Sequence, residues 1–515
     1  MKRYIAYKHP QVVKTTLILL SLFTISLSIA SGNPTPPNIV IIYADDLGFG
    51  DLGCYNSGSR IPTPNLDRLA GSGLLFTNAH SPDTICSPSR YGILTGRYFG
   101  RRVGVEQNNP LPGAQPEIDP ERMTLPSMLR DAGYDTAAIG KWGLGADWAA
   151  AAKPGRKGYD PTPTAIDYSK AIFAGKPFGF TYEALHYWYG YEYYEGTDYD
   201  GDFQHPFTDG GRWHFENGIA RNGGPNFSEF DMVQAQLDYL KNTVDYIDSK
   251  KASEQSEARF NQQSDAPFFI YYAPHIPHLP LAVSPQFIGK SEAGLYGDFV
   301  YQLDWSVGEI IDALSRNGLR ENTLVIFASD NGPERVAYPR ISKYAHFSMG
   351  TWRGLKRDLW EGGHRTPFIV SWPGQIEPGA TEELISQVDV FATIAEILEQ
   401  ALPNEAAEDS ISFLPVLQGK GGQREDILCR SASGNLLISR GEWTYMNGVG
   451  NSTPELDWFR EMRSAAFPAP EGELFNLADD PQQIHNLIKK EPSKAKELKT
   501  LLQKQVENGR SAPHR

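Results

Sequence analysis

The chain has 515 residues, a formal net charge of −14, 40% hydrophobic and 12% aromatic residues; this excludes a disordered polymer and leaves room for one large α/β core plus a smaller unit. So acidic a chain is a poor partner for nucleic acid, which needs basic surface to displace counterions. Three cysteines are too few for a disulfide framework, and the sequence leaves open whether Cys54 and Cys429 pair.

Residues 1–31 read as an export signal. Lys2, Arg3, Lys8 and Lys14 precede an apolar run from Leu17 to Ile29, and the small residues Ala30, Ser31 and Gly32 follow. That run is too short to span a bilayer as a helix, and no other stretch approaches spanning length. A mature, exported chain without a stable membrane span is therefore expected, periplasmic or secreted, or lysosomal or secretory in a eukaryote. Losing four basic and no acidic side chains takes the charge from −14 to −18. Any anion pocket must then be positive locally, against the background field.

Five segments rich in β-branched and aromatic residues adjoin chemistry-bearing residues. Residues 38–44 run into Asp45 and Asp46, and 136–140 run into Lys141. Residues 268–272 lead to His275 and His278, and 323–329 run into Asp330 and Asn331. A fifth, 367–372, follows the loop holding Lys356. Continuous apolar runs of this kind predict strands buried on both faces of a largely parallel sheet. Between them, Phe299, Leu303, Val307, Ile310 and Leu314 recur at helical spacing over 297–316, with Gly318 as a stop. The alternation predicts a doubly wound α/β layer fold. Ligands in such sheets bind beyond the carboxyl ends of the strands, which would gather Asp45, Asp46, Lys141, His278, Asp330 and Asn331 on one rim.

Cys86 opens the run Cys86-Ser87-Pro88-Ser89-Arg90, which reads as a helix start with proline in the first turn and Gly96 as the stop. The unpaired N–H groups at such a start suit a sulfate or an oxyanion, and Arg90 lies one turn in, on the same side. Two aspartates after one strand and an Asp-Asn pair after another offer only oxygen donors. These suit calcium or magnesium, and no histidine–cysteine spacing suggests zinc. Three acidic side chains against a divalent cation, Arg90, Lys141 and Lys356 leave the pocket positive by two, enough to hold a sulfate.

From about residue 37 to residue 488 the chain resembles a type I sulfatase of the alkaline-phosphatase superfamily. The matching stretches are Cys86-Ser87-Pro88-Ser89-Arg90, Asp45-Asp46-Leu47-Gly48, Gly140-Lys141-Trp142, His278-Leu279-Pro280, Asp330-Asn331-Gly332, 356–363 and Glu473-Leu474-Phe475-Asn476-Leu477. The resemblance implies a large, mostly parallel sheet sandwiched by helices over 35–418, with a small C-terminal antiparallel α+β subdomain over 419–510. It implies that Cys86 is converted to formylglycine (3-oxoalanine) by a formylglycine-generating enzyme before folding. A hydrated aldehyde has two hydroxyls on one carbon: one can attack the sulfur of a sulfate ester, and the other can then lose its proton and expel the sulfate. Serine has no comparable release. It further implies calcium on Asp45, Asp46, Asp330, Asn331 and residue 86, with Arg90 steadying the hydrate. Lys141 and Lys356 would bind sulfate oxygens, His278 would protonate the departing alcohol, and Asp330 would assist deprotonation. His275 also begins a His-x-Pro triplet; the distance from His278 to Phe287-Ile288-Gly289-Lys290 favours His278.

One departure stands out: Gly143 occupies the place of a family histidine implicated in breaking down the sulfated hydrate. His186, His214 and His346 are the candidates to replace it. Residues 153–230 read as an insertion over the rim, dense in aromatics at 187–194, suited either to stacking on sugar rings or to packing the insertion down. The expected substrate is a sulfated carbohydrate, of galactose or N-acetylgalactosamine 6-sulfate type, or an aryl sulfate. The alternatives are a phosphoesterase or phosphonate hydrolase on the same fold, and an inactive glycan-binding protein.

Overall fold

The computed structural model describes residues 35–101, 116–155, 167, 170–188, 212–217, 219–224, 231–250, 260, 266–451 and 472–515. The expected export signal, most of the aromatic run at 187–194 and parts of the expected insertion lie outside them.

The strands, in chain order, are β1 (Asn38–Ala44), β2 (Leu74–Phe76), β3 (Ala79–His80), β4 (Asp135–Lys141), β5 (Tyr182–Trp188), β6 (Arg212–Glu216), β7 (Ile219–Gly224), β8 (Phe268–Ala273), β9 (Thr323–Ser329), β10 (Phe368–Ser371), β11 (Gly379–Thr381), β12 (Ile385–Ser386), β13 (Asp426–Arg430), β14 (Leu436–Arg440), β15 (Trp443–Met446) and β16 (Glu473–Asn476). Ten of them form one mixed sheet in the order β11-β2-β10-β9-β1-β8-β4-β5-β6-β7. Its centre, β9-β1-β8-β4-β5, is parallel throughout.

The central strands are apolar on both sides because both sides are covered. In β1, Ile39, Ile41 and Tyr43 enter one buried cluster while Val40, Ile42 and Ala44 enter another. Each fully buried Ile or Val contributes roughly 1.5–3 kcal/mol. The helix Gly294–Arg316 lays Phe299, Leu303, Val307, Ile310 and Leu314 on the second face, as its spacing predicts. The helix Cys86–Thr95 lies on the first face with Tyr91, Ile93 and Leu94 in the core, and ends at Gly96 with φ 63°.

Two arrangements depart from the expected layout. The fifth strand, β10, runs antiparallel to both neighbours, so the start of this strand, and not its end, points to the rim; Lys356 precedes β10 for that reason. Within the expected rim insertion, β5, β6 and β7 extend the main sheet by an antiparallel meander beyond β4. Near the C-terminus, β13 to β16 form a four-stranded antiparallel sheet in sequential order. The helix Pro492–Asn508 packs Ala495, Leu498 and Leu502 on it and turns its charges outward. Among the described residues, no helix is long and apolar enough to cross a membrane. Cys54, Cys86 and Cys429 are all free.

Candidate active site

Parallel pairing brings the strand ends together. Ala44 lies opposite Ser329, so the residues that follow each of them meet: the Asp330 amide donates to the Ala44 carbonyl at 3.1 Å, and the Asp46 amide to Asp330 Oδ1 at 3.2 Å. Asp46 reaches this position with φ 65°, a left-handed conformation that aspartate tolerates better than most residues. The Asp45 amide donates to the Ile276 carbonyl at 2.9 Å, which fixes the loop carrying His275 and His278 beside it.

The side chains then close on one another. Lys141 Nζ lies 2.6 Å from Asp45 Oδ2, Arg90 Nη2 lies 2.6 Å from Asp330 Oδ2 and 3.6 Å from Asp45 Oδ1, and Lys356 Nζ lies 2.8 Å from Asp46 Oδ1. Asn331 Nδ2 donates to Asp46 Oδ1 at 2.7 Å. Ligating atoms of Asp45, Cys86 and Asp330 lie within 4.8 Å of one another. The Nδ1 of His278 donates to the Leu279 carbonyl at 2.5 Å, so Nε2 is the nitrogen that faces the cluster, 3.6 Å from Asp46 Oδ2. All of these side chains are buried; Cys86, the most open, is 9% exposed.

Charges this crowded shift one another. Burial alone would raise the Asp45 carboxyl, but Lys141, with His278 and Arg90, holds it well below the usual carboxylate range. Burial and the Asp45 charge push Asp330 up to about 7 against the pull of Arg90. Burial, with Lys141 and Lys356, pushes the His278 imidazole well down. A divalent cation among these oxygens would ionise Asp330 fully. The donor set fits one: Asp45 Oδ1 and Asn331 Oδ1 are buried with no hydrogen-bond partner, and the donors are hard oxygens.

Sequence reasoning missed part of this site. Glu334, buried, stands 3.9 Å from Lys356 Nζ and 2.7 Å from Arg357; burial would raise it, but Arg357 and Lys356 bring it down to about 2. Its place just after Asp330-Asn331-Gly332-Pro333 was the available signal. Arg357 offsets it, so the expected surplus of two positive charges is unchanged. His275 is also at the cluster, with Nδ1 3.5 Å from Asp45 Oδ2 and its ring 4.5 Å from that of His278.

The family model named Sulfatase matches residues 37–400. An N-acetylgalactosamine-6-O-sulfatase of Bacteroides thetaiotaomicron is 34% identical over 493 residues, covering 92% of this chain and 93% of that protein. Human arylsulfatase A is 32% identical over 464 residues, covering 88% and 83%. The chain belongs to the sulfatase family. It is therefore a sulfuric ester hydrolase by class. A solved structure described under the metabolism of multiple glycosaminoglycans by Bacteroides thetaiotaomicron superposes with a TM-score of 0.71 at 29% identity, covering 92% of this chain and 99% of that one. This sulfatase carries the family fold, a large mostly parallel sheet with a small C-terminal antiparallel sheet.

Within this sulfatase, Gly143 has φ 73°, where any side chain is strained, so the loop is built for glycine. Of the three histidines considered as replacements, His346 is committed elsewhere: it is fully buried, its Nε2 lies 2.8 Å from Asp51 Oδ1 and its Nδ1 accepts from the Arg60 amide at 3.3 Å. Strand register sets His186 beside Lys141 and opposite His214.

Proposed function

We propose that this sulfatase is exported, binds calcium, and removes sulfate from a sulfated sugar of galactose or N-acetylgalactosamine 6-sulfate type, using formylglycine made from Cys86. The observation that carries the reading is the meeting of Cys86, Asp45 and Asp330 within 4.8 Å, with Arg90, Lys141 and Lys356 around them. The similarity to a protein named N-acetylgalactosamine-6-O-sulfatase over nearly the whole of both chains supports the sugar and the position of its sulfate.

Asp45, Asp46, Asp330, Asn331 and residue 86 would hold the calcium, which when bound polarises a sulfate oxygen. Formylglycine at position 86 would supply a nucleophilic hydroxyl and a second hydroxyl for release of sulfate. The remaining work belongs to the chain's own side chains. Arg90, held by Asp330, the Lys141 carbonyl (3.2 Å) and Tyr271 Oη (3.3 Å), orients residue 86. Lys141 and Lys356 bring two positive charges to the sulfate oxygens, and burial makes each worth more than in water. His278, its ring fixed through Nδ1, would carry a proton on Nε2 to the departing alcohol once the negative charge of the bound sulfate favours the protonated ring. His186, paired in register with Lys141, is the candidate to replace the histidine absent at position 143.

The test is sulfate release from N-acetylgalactosamine 6-sulfate, galactose 6-sulfate and 4-nitrophenyl sulfate, with 4-nitrophenyl phosphate alongside, in calcium and in chelator. Calcium-dependent hydrolysis of a sugar 6-sulfate is expected. Hydrolysis of the phosphate alone would establish the phosphoesterase alternative. No turnover of any ester by protein carrying the aldehyde at residue 86 would count against hydrolysis and favour the glycan-binding alternative.

A further inference from the structure

Farther along the loop that carries Lys356, two imidazoles face each other. His80, in β3, and His364, in the short helix Glu361–His364, set their Nδ1 atoms 2.9 Å apart, the rings tilted by 34°. Their tautomers follow from their other nitrogens. His364 Nε2 lies 2.9 Å from the Leu359 carbonyl, which can only accept, so Nε2 holds the proton. His80 Nε2 lies 3.0 Å from Asn78 Oδ1, and that amide is oriented by its Nδ2 donating to the Glu382 carbonyl at 3.2 Å. Each neutral ring therefore presents a bare Nδ1, and two lone pairs meet where only a cation can stabilise them.

A third donor points the same way. Glu361 is fully buried; Oε2 pairs with Arg365 at 3.0 Å, while Oε1 is buried with no hydrogen-bond partner. One ligating atom from each of His80, Glu361 and His364 lies within 4.8 Å of the other two.

We propose that His80, His364 and Glu361 bind a divalent transition ion, best matched by zinc, in a structural site separate from the oxygen-lined cluster. Two imidazoles and a carboxylate suit zinc, where the oxygens of the active site suit calcium. Both rings already make the outer contacts of ligating histidines, each donating its second N–H to an oxygen acceptor. Zn–N bonds of about 2.0–2.1 Å at a tetrahedral angle separate the nitrogens by about 3.3 Å, so the rings need open only slightly. The backbone already joins the two segments, the Ser81 amide donating to the His364 carbonyl at 2.8 Å. An ion here would brace the approach to Cys86 against the loop that carries Lys356. The sequence hides the site because 284 positions separate the two histidines.

The experiment is metal analysis of the full chain, expressed with zinc, saturated with calcium and dialysed against a weak chelator. About one zinc per chain is expected, lost in His364→Gln. Anomalous scattering at the zinc edge from crystals of the unaltered protein should place the ion between His80 and His364, which decides the matter even if the variant does not fold. Protein that takes up no zinc on refolding with zinc present overturns the proposal in favour of a proton shared by the two rings. Zinc retained in full by His364→Gln, or located elsewhere, overturns it too.

Discussion

Arg90 and Asp330, 240 positions apart in the chain, meet at 2.6 Å with neither side chain exposed. Arg90 comes from the first turns of the helix that Cys86 opens, and Asp330 follows the end of β9, so this pair ties that helix to the sheet. Tyr43 lies under the guanidinium, 5.5 Å from its centre, and completes a cage with Tyr271. Removing either partner leaves a buried charge uncompensated. Arg90→Ala should therefore cost about 3–5 kcal/mol of stability, read from denaturant midpoints. Arg90→Lys keeps the charge but loses the planar fork; it should fold, and kcat should fall about 100-fold or more.

Cys86→Ala removes the residue from which we propose the nucleophile is made. Turnover should drop by on the order of 10⁵-fold or more, while the thermal midpoint stays within a few degrees of the unaltered chain. In active protein, the peptide containing residue 86 should be lighter by about 18 Da than the thiol form, by stoichiometry of thiol to aldehyde. An intact thiol in fully active protein would refute the assignment of this residue.

Chelation of calcium should abolish sulfate release and also lower the melting temperature, since an ion bound only by the folded state contributes about 3–4 kcal/mol at 100 to 1,000 times its Kd. Readdition of calcium should restore both, and magnesium should restore less, because the set of four oxygen-bearing side chains around Asp45 and Asn331 suits a larger, less hydrated ion. Calorimetry with and without chelator checks the stability half independently of activity.

Trp360 joins the active-site loop to the C-terminal sheet. It is fully buried, donates from Nε1 to Glu473 Oε2 at 3.0 Å, and lies 3.3 Å from the Arg353 guanidinium. With Leu359 it packs on Ile427, Leu437, Met446 and Phe475. Trp360→Ala should cost about 3–5 kcal/mol, measured by chemical denaturation. Trp360→Phe keeps much of the apolar volume and should recover more than half of that loss. Both should raise KM by loosening the loop that presents Lys356.

Asp304 predicts a pH effect remote from the active site. Its carboxylate accepts from the Asn65 and Leu66 amides at 3.0 and 2.8 Å, and from Asn65 Nδ2 at 2.9 Å, serving the start of the helix Pro64–Gly71. Burial outweighs these bonds and raises its pKa to about 6. The folded chain then holds this proton more tightly than the unfolded chain, whose carboxyl titrates near 3.9. Its contribution is greatest below about pH 4 and is lost as pH rises through about 6. Urea midpoints should show the unaltered chain gaining on Asp304→Asn as pH falls from 7 to 5.

Much of the fold was legible because it depends on local pattern. The runs 38–44, 268–272 and 323–329 are apolar without alternation, which only a sheet covered on both faces requires, and they became β1, β8 and β9. The helix stops at Gly96 and Gly318 were legible because both adopt positive φ. The placement of Asp45, Lys141 and Asp330 followed from the rule for strand carboxyl ends. Lys356 did not follow from that rule: it enters ahead of an antiparallel strand, and the sense of β10 depends on its neighbours, not on its own residues.

What the sequence determined by itself was the set of strands and the chemistry waiting at their ends, since both are written in short runs of adjacent residues. Only the tertiary structure decided which distant groups meet: Glu334 against Lys356, His275 against Asp45, His80 against His364. Such meetings are set by strand order and loop packing across tens to hundreds of residues, and a lone histidine or glutamate carries no local mark of the partner it will find.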